Sequence, residues 1–195
     1  MNDSQPSEYL QLLRHSLAHV LAQVVREMRP GTKLGFGPAT EDGFHYDFAL
    51  PAPLTLEDFP EIERRMRDIL DSGQHFIREE LSASDALARL DQLQEPYKRE
   101  YAAELLATGQ LAGLTFYHSG DFVDMCDGLH VATTSEIPRD CFKLRGLAGA
   151  YWRADASNVM MTRVQVWAFG SSAELEAYER DFAHAALRDF TARQE

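Results

Sequence analysis

Two kinds of hydrophobic spacing alternate along this chain. From Tyr9 to Met28, Leu13, Leu17, Val20, Leu21, Val24 and Met28 recur every three or four residues, which predicts a helix with one broad apolar stripe. Pro30-Gly31 stops it. The glycine-rich run Lys33 to Pro38 lacks a phosphate-loop pattern and reads as strand or loop. Phe44-His-Tyr-Asp-Phe48 alternates apolar and polar positions after Asp42-Gly43, as a strand does. Thr55 opens a second helix that runs to Asp71, before Gly73. A strand over His75 to Leu81 follows, then a helix capped by Ser84 through Leu93 and another from Glu95 to Ala107, closed by Gly109. Leu114 to His118 and Phe122 to Cys126 read as strands paired about Ser119-Gly120. Further strands are expected over Cys141 to Leu147, Ala150 to Arg153 and Arg163 to Phe169. Ser171-Ser-Ala-Glu174 is a capping box, and its helix should bury Leu175, Tyr178, Phe182 and Ala186. Because the strands are mostly joined as hairpins, the predicted class is α+β: an antiparallel β-sheet packed with helices.

Composition narrows this picture. A chain of 195 residues that is 45 % hydrophobic can bury a real core. No apolar run reaches membrane-spanning length, the polar N-terminus does not resemble a signal peptide, and residues 1–7 read as a flexible tail. Two cysteines, Cys126 and Cys141, cannot build a disulfide framework, so a cytoplasmic location is expected. A net charge of −12 disfavours non-specific nucleic-acid binding, although one RNA end could still meet a local basic patch.

The chemistry concentrates in two pairs. His15 and His19 stand four apart on the first helix, and Cys126 and His130 stand four apart near the Asp127-Gly128 turn. Side chains at i and i+4 share a helix face. The histidines point nearly opposite the apolar stripe, on a face with Gln11, Ala18, Ala22 and Arg26. Either that face is solvated, or its small alanines let a second layer approach. Together the pairs can supply four ligands to a zinc ion, or can hold a water and a polar substrate.

The motifs taken together resemble a known family. His15-Ser-Leu-Ala-His19, Gly37-Pro38, Gly43-Phe-His-Tyr-Asp47, Pro96-Tyr-Lys98, Asp124-Met-Cys126 with His130, Phe142-Lys-Leu144 and Ala148-Gly-Ala-Tyr-Trp-Arg153 resemble, in order, the editing domain of bacterial-type threonyl-tRNA synthetase. The resemblance spans about Leu10 to Phe190, and a more distant one runs to alanyl-tRNA editing domains. It implies an editing-like domain over residues 8–170 and a linker-like helix over 171–195. It also implies hydrolysis of the ester joining a wrong amino acid, serine, to the terminal ribose of tRNA(Thr). Editing is needed because one methyl group discriminates by only ~1–3 kcal/mol. The chain is short for the synthetase's catalytic and anticodon-binding domains, so it is expected not to charge tRNA, and to be a trans-editing protein or an excised fragment.

By the same resemblance, His15, His19, Cys126 and His130 line the pocket with Tyr46, Lys98 and Asp124. Lys98 or a histidine would hold the attacking water, Asp124 the substrate ammonium, and Tyr46 the pocket wall. Alanyl relatives hold metal on the tetrad whereas threonyl domains can work without it, so no required cofactor is expected, with zinc as the alternative. One departure stands out. Where the family usually reads Arg-Gly-Pro after the cysteine, this chain has Asp127-Gly128-Leu129, a change from positive to negative beside the pocket. It keeps open another mischarged aminoacyl-tRNA as substrate. A non-catalytic module associated with a synthetase is the reading from a different class. Arg139, Lys143, Arg145, Arg153 and Arg163 are the candidates for an acceptor-stem patch.

Overall fold

The computed structural model describes residues 8–192; the expected tail over 1–7 lies outside the described residues. The order of elements is α1 (Glu8–Met28), β1 (Lys33–Leu34), β2 (Gly43–Ala49), α2 (Phe59–Ser72), β3 (Ile77–Ser82), α3 (Ala83–Gln92), α4 (Pro96–Ala107), β4 (Gly113–Ser119), β5 (Phe122–Met125), β6 (Phe142–Tyr151), β7 (Met160–Ala168) and α5 (Ser172–Ala192). The class is α+β, as the hairpin pattern predicts. Its strands divide into two antiparallel sheets, β1-β2-β7-β6 and β3-β4-β5. The partition rests on β2 pairing with the distant β7, with Tyr46 opposite Val164.

α1 is the central element. Every residue from Leu13 to Val25 except His15 is buried. Its apolar stripe shares a core with Phe44 and Phe48 of β2, Ile62 and Met66 of α2, and Val164 and Val166 of β7. A helix buried all round needs a second layer on its other side. Ala18 and Ala22, both fully buried, permit that approach. A second layer therefore covers this face: His19 is buried and His15 is partly exposed. A second core joins α3 and α4 to the smaller sheet through Ala86, Leu90, Ala102, Leu114, Phe116 and Met125.

Local signals hold with three corrections. Gly73, at φ 66°, ends α2 in the left-handed conformation that glycine adopts without cost. Ser82, not Ser84, caps α3: its Oγ accepts from the Asp85 N–H at 3.3 Å. The two strands expected over 141–147 and 150–153 are one, β6, with a register shift between Leu144 and Gly146. The chain then turns at Trp152–Ala154, where Arg153 sits at φ 57°. α5 buries Leu175 and half-buries Tyr178, but Phe182 is 43 % exposed and Ala186 is exposed. α5 meets Trp167 and Asp42 through Tyr178 and Phe182. Among the described residues no helix is long and apolar enough to cross a membrane.

Candidate active site

Three local devices aim side chains at one place. On α1, His15 and His19 leave the same face. On β2, the period of two sends Phe44, Tyr46 and Phe48 inward. Tyr46 can lie flat there because residue 37 is glycine: a Cβ at Gly37 would come within 2.4 Å of the Tyr46 ring. Pro96 opens α4, which places Lys98 in its first turn, facing inward and 2 % exposed. β5 delivers the buried Asp124, and the chain leaves the strand at Cys126 towards His130.

The tetrad converges. One donor atom from each of His15, His19, Cys126 and His130 lies within 4.8 Å of the others. Cys126 Sγ is 2.9 Å from His15 Nε2. The His130 ring centroid is 4.3 Å from those of both His15 and His19, and the ring stacks on Phe76 at 4.6 Å. Beside the tetrad, Lys98 Nζ pairs with Asp124 and donates to the Tyr46 hydroxyl and to the Met125 carbonyl, each at 3.2 Å. Tyr46 in turn donates to Asp124 Oδ2 at 2.8 Å. The three Lys98 N–H donors are thus all engaged. His19 Nε2 lies 3.8 Å from Asp124 Oδ2, close enough for electrostatic coupling.

A cavity of 860 Å³ opens onto this constellation. Its lining combines His15, His19, Tyr46, Lys98, Asp124 and Cys126 with the apolar Phe36, Tyr101, Leu105, Leu111, Leu114 and Met125. His15, His19 and Cys126 line the cavity, and His130 packs against them within the tetrad. The His130 ring is held by Ser16, whose Oγ lies 3.1 Å from His130 Nδ1 and accepts from the Val131 N–H at 3.1 Å.

Burial sets the resting charges. It lowers the pKa of His15, with Asp124 opposing, and lowers His19 further, with His15 and Lys98 adding repulsion. It lowers His130 as well, helped by the two neighbouring imidazoles. Burial pushes the Cys126 thiol up to about 12. Tyr46 is raised by burial and by Asp124. At neutral pH the tetrad is therefore three neutral imidazoles and a thiol. Two buried ring nitrogens, His19 Nδ1 and His130 Nε2, have no hydrogen-bond partner among the described residues. A tetrahedral zinc ion would need bonds of about 2.0–2.3 Å to N and S donors. The donor set and its clustering fit such an ion, and a bound cation would also satisfy an orphaned nitrogen.

Three residues of the site have roles that their local sequence did not assign. Ser16 showed only as a poor helix former between two histidines. Gly128 is required sterically: a Cβ there would lie 1.9 Å from His15 Cε1. Glu95 precedes α4, is 2 % exposed, and accepts from the Leu34 N–H at 2.8 Å. Burial lifts its carboxyl to about 7, against the pull of the Leu34 N–H, Arg26 and Lys98. The five cations expected as an acceptor-stem patch are instead neutralised one by one. Arg139 pairs with Asp71, Lys143 with Glu179, Arg145 with Asp42, Arg153 with Glu100 and Glu104, and Arg163 with Asp47.

Comparison with known proteins agrees with this geometry. Residues 114–165, from β4 into β7, match the threonyl and alanyl tRNA synthetase second additional domain, a stretch that holds Asp124, Cys126 and His130. The threonine–tRNA ligase of Thiobacillus denitrificans is 41 % identical over 186 residues, 95 % of this chain and 29 % of that protein. Those of Brucella canis and Brucella abortus are each 43 % identical over 180 residues, 92 % of this chain and 27 % of theirs. The chain thus spans under a third of the length of these relatives. Through nearly all of its own sequence the chain is similar to a stretch of these threonine–tRNA ligases, and within it residues 114–165 match the threonyl and alanyl tRNA synthetase second additional domain.

Proposed function

We propose that this chain is an aminoacyl-tRNA deacylase that hydrolyses Ser-tRNA(Thr) in trans, without aminoacylating tRNA itself. The observation that carries the reading is the clustered His15/His19/Cys126/His130 tetrad beside an open cavity that three of its members line together with the Tyr46–Lys98–Asp124 network. Residues 8–170 would form the editing unit and 171–195 the linker-like helix. The acceptor end of tRNA(Thr) is the partner, with a synthetase as a further one, in the cytoplasm.

The step needs no covalent intermediate. Water attacks the ester carbonyl carbon and gives its proton to neutral His15 or His19. The imidazolium is stabilised by Asp124, 3.8 Å from His19 Nε2. The negative charge that develops on the carbonyl oxygen meets the fixed cation of Lys98. Collapse expels the ribose oxygen, which takes a proton back, leaving free amino acid and uncharged tRNA. Cys126 serves as thiol rather than nucleophile, because burial opposes its thiolate. Asp124 faces the substrate ammonium, and Tyr46 walls the pocket. No metal is required on this reading; zinc held by three of the four tetrad side chains would keep one position open for a water of lowered pKa, whereas zinc held by all four would be closed to water.

The test is a panel of mischarged tRNAs incubated with the chain, with and without chelator. Ser-tRNA(Thr) should lose its amino acid while Thr-tRNA(Thr) survives; background loss of both rejects the reading. A second substrate class is favoured by one observation, the apolar cavity lining from Phe36 to Leu114, which a serine would leave unfilled. Faster loss from a bulkier mischarged tRNA would establish it.

A further inference from the structure

Arg14 is the one buried cation among the described residues with no carboxylate within 4 Å; Lys98, the other, is paired with Asp124. Arg14 is 1 % exposed. Its Nε donates to the Ala168 carbonyl at 2.9 Å and its Nη1 to the Thr40 carbonyl at 3.0 Å. Those bonds fix the plane of the guanidinium and use two of its five N–H groups. The other three have no hydrogen-bond partner among the described residues. Gln11, Arg14, His15 and His19 follow helical spacing on α1, and all four line the same cavity. The Asp42 carboxylate favours the charge from beyond 4 Å but already pairs with Arg145; a buried charge without a direct ion pair is costly to keep, and anchoring two carbonyls does not require a charge. The surface cations described above are each neutralised, which leaves Arg14 as the unmet positive charge facing the cavity.

We propose that Arg14 is an anion subsite of this cavity and takes the phosphate of the terminal nucleotide whose ribose bears the ester. This rests on the deacylase reading. In an aminoacyl ester the amino acid's carboxylate is consumed by the ester bond, so the nearest anion to the reacting carbon is the phosphodiester of the same nucleotide. A planar guanidinium with parallel N–H groups left over matches phosphate oxygens. Glu41 also lines the cavity, but it is exposed, where water and salt screen it.

The test uses the full chain and two probes, adenosine and adenosine 5′-monophosphate, titrated calorimetrically. The monophosphate should bind at least about tenfold more tightly, with inorganic phosphate competing against it and not against adenosine. Arg14→Gln should reduce the monophosphate to the affinity of adenosine while leaving adenosine unchanged, and Arg14→Lys should restore part of the gap. Equal affinity of both probes for the unaltered chain, no binding of either at millimolar concentration, or an undiminished gap in Arg14→Gln would each overturn the subsite. Should Arg14→Gln fail to fold, the unaltered chain and Arg14→Lys decide. Turnover of Ser-tRNA(Thr) by the unaltered chain is scored separately, so loss of the phosphate preference with intact turnover removes the subsite alone.

Discussion

Gly128→Ala isolates the placement of His15 from every change of charge. Gly128 is not among the residues of positive φ, so alanine brings no backbone strain there. Its methyl would, however, lie 1.9 Å from His15 Cε1 and 2.2 Å from Nδ1. Bringing 1.9 Å out to the 3.0 Å that a real Cβ tolerates moves the ring by about 1 Å. Cys126 Sγ, 2.9 Å from Nε2, and His130, at 4.3 Å between centroids, leave the ring to yield towards the open cavity, out of its place beside them. Overpacking of this kind costs about 1–3 kcal/mol, and a catalytic group displaced by ~1 Å can cost ~10²-fold in rate. In a chain of this size the stability loss lowers Tm by ~2–4 °C per kcal/mol. Single-turnover deacylation of Ser-tRNA(Thr) and a thermal melt read the two effects. Gly109→Ala is the control: φ is +71° and nothing lies within 4 Å of its Cβ, so it should lose ~1–2 kcal/mol through backbone strain and none of the rate. A Gly128→Ala protein within threefold of the unaltered rate would refute the claim that His15 must stand where it does.

Three other outcomes follow from the site. Ser16→Ala strands His130 Nδ1 and the Val131 N–H inside the protein, so urea unfolding should show a loss of about 1–3 kcal/mol; an unchanged midpoint would mean water replaces the hydroxyl. Glu95 has a folded pKa of about 7, above its ordinary 4.5, so its contribution to stability is full below pH ~4.5 and is lost as pH rises through ~7. That loss is about 3 kcal/mol. Glu95→Gln should flatten the decline across this window, and an identical pH profile for the two proteins would contradict the assignment. Zinc, monitored by competition with a chromophoric chelator, should bind more tightly at pH 8 than at pH 6 because the Cys126 proton must leave, and more weakly to Cys126→Ser. Affinity indifferent to both changes would place the ion away from the tetrad.

The sequence by itself determined the periodic elements and the chemical inventory. Spacing placed α1, β2, α2 and the β4–β5 hairpin, because helix and strand periods are local properties of the chain. The His-x₃-His and Cys-x₃-His pairs were visible as ligand-type residues at a set spacing, and Gly73 as a helix stop. Spacing along α5 misjudged Phe182, since a periodic stripe states which face is apolar and not whether anything covers it. Only the tertiary structure decided that α1 is buried on both faces, that Lys98 spends all its donors on Tyr46, Asp124 and Met125, that His130 is held in the tetrad by Ser16, and that each cation of the expected patch pairs with a carboxylate. Tyr46 and Asp124 are 78 positions apart, yet one hydrogen bond of 2.8 Å joins them. Burial and charge pairing are properties of such distant contacts, and no local pattern encodes them.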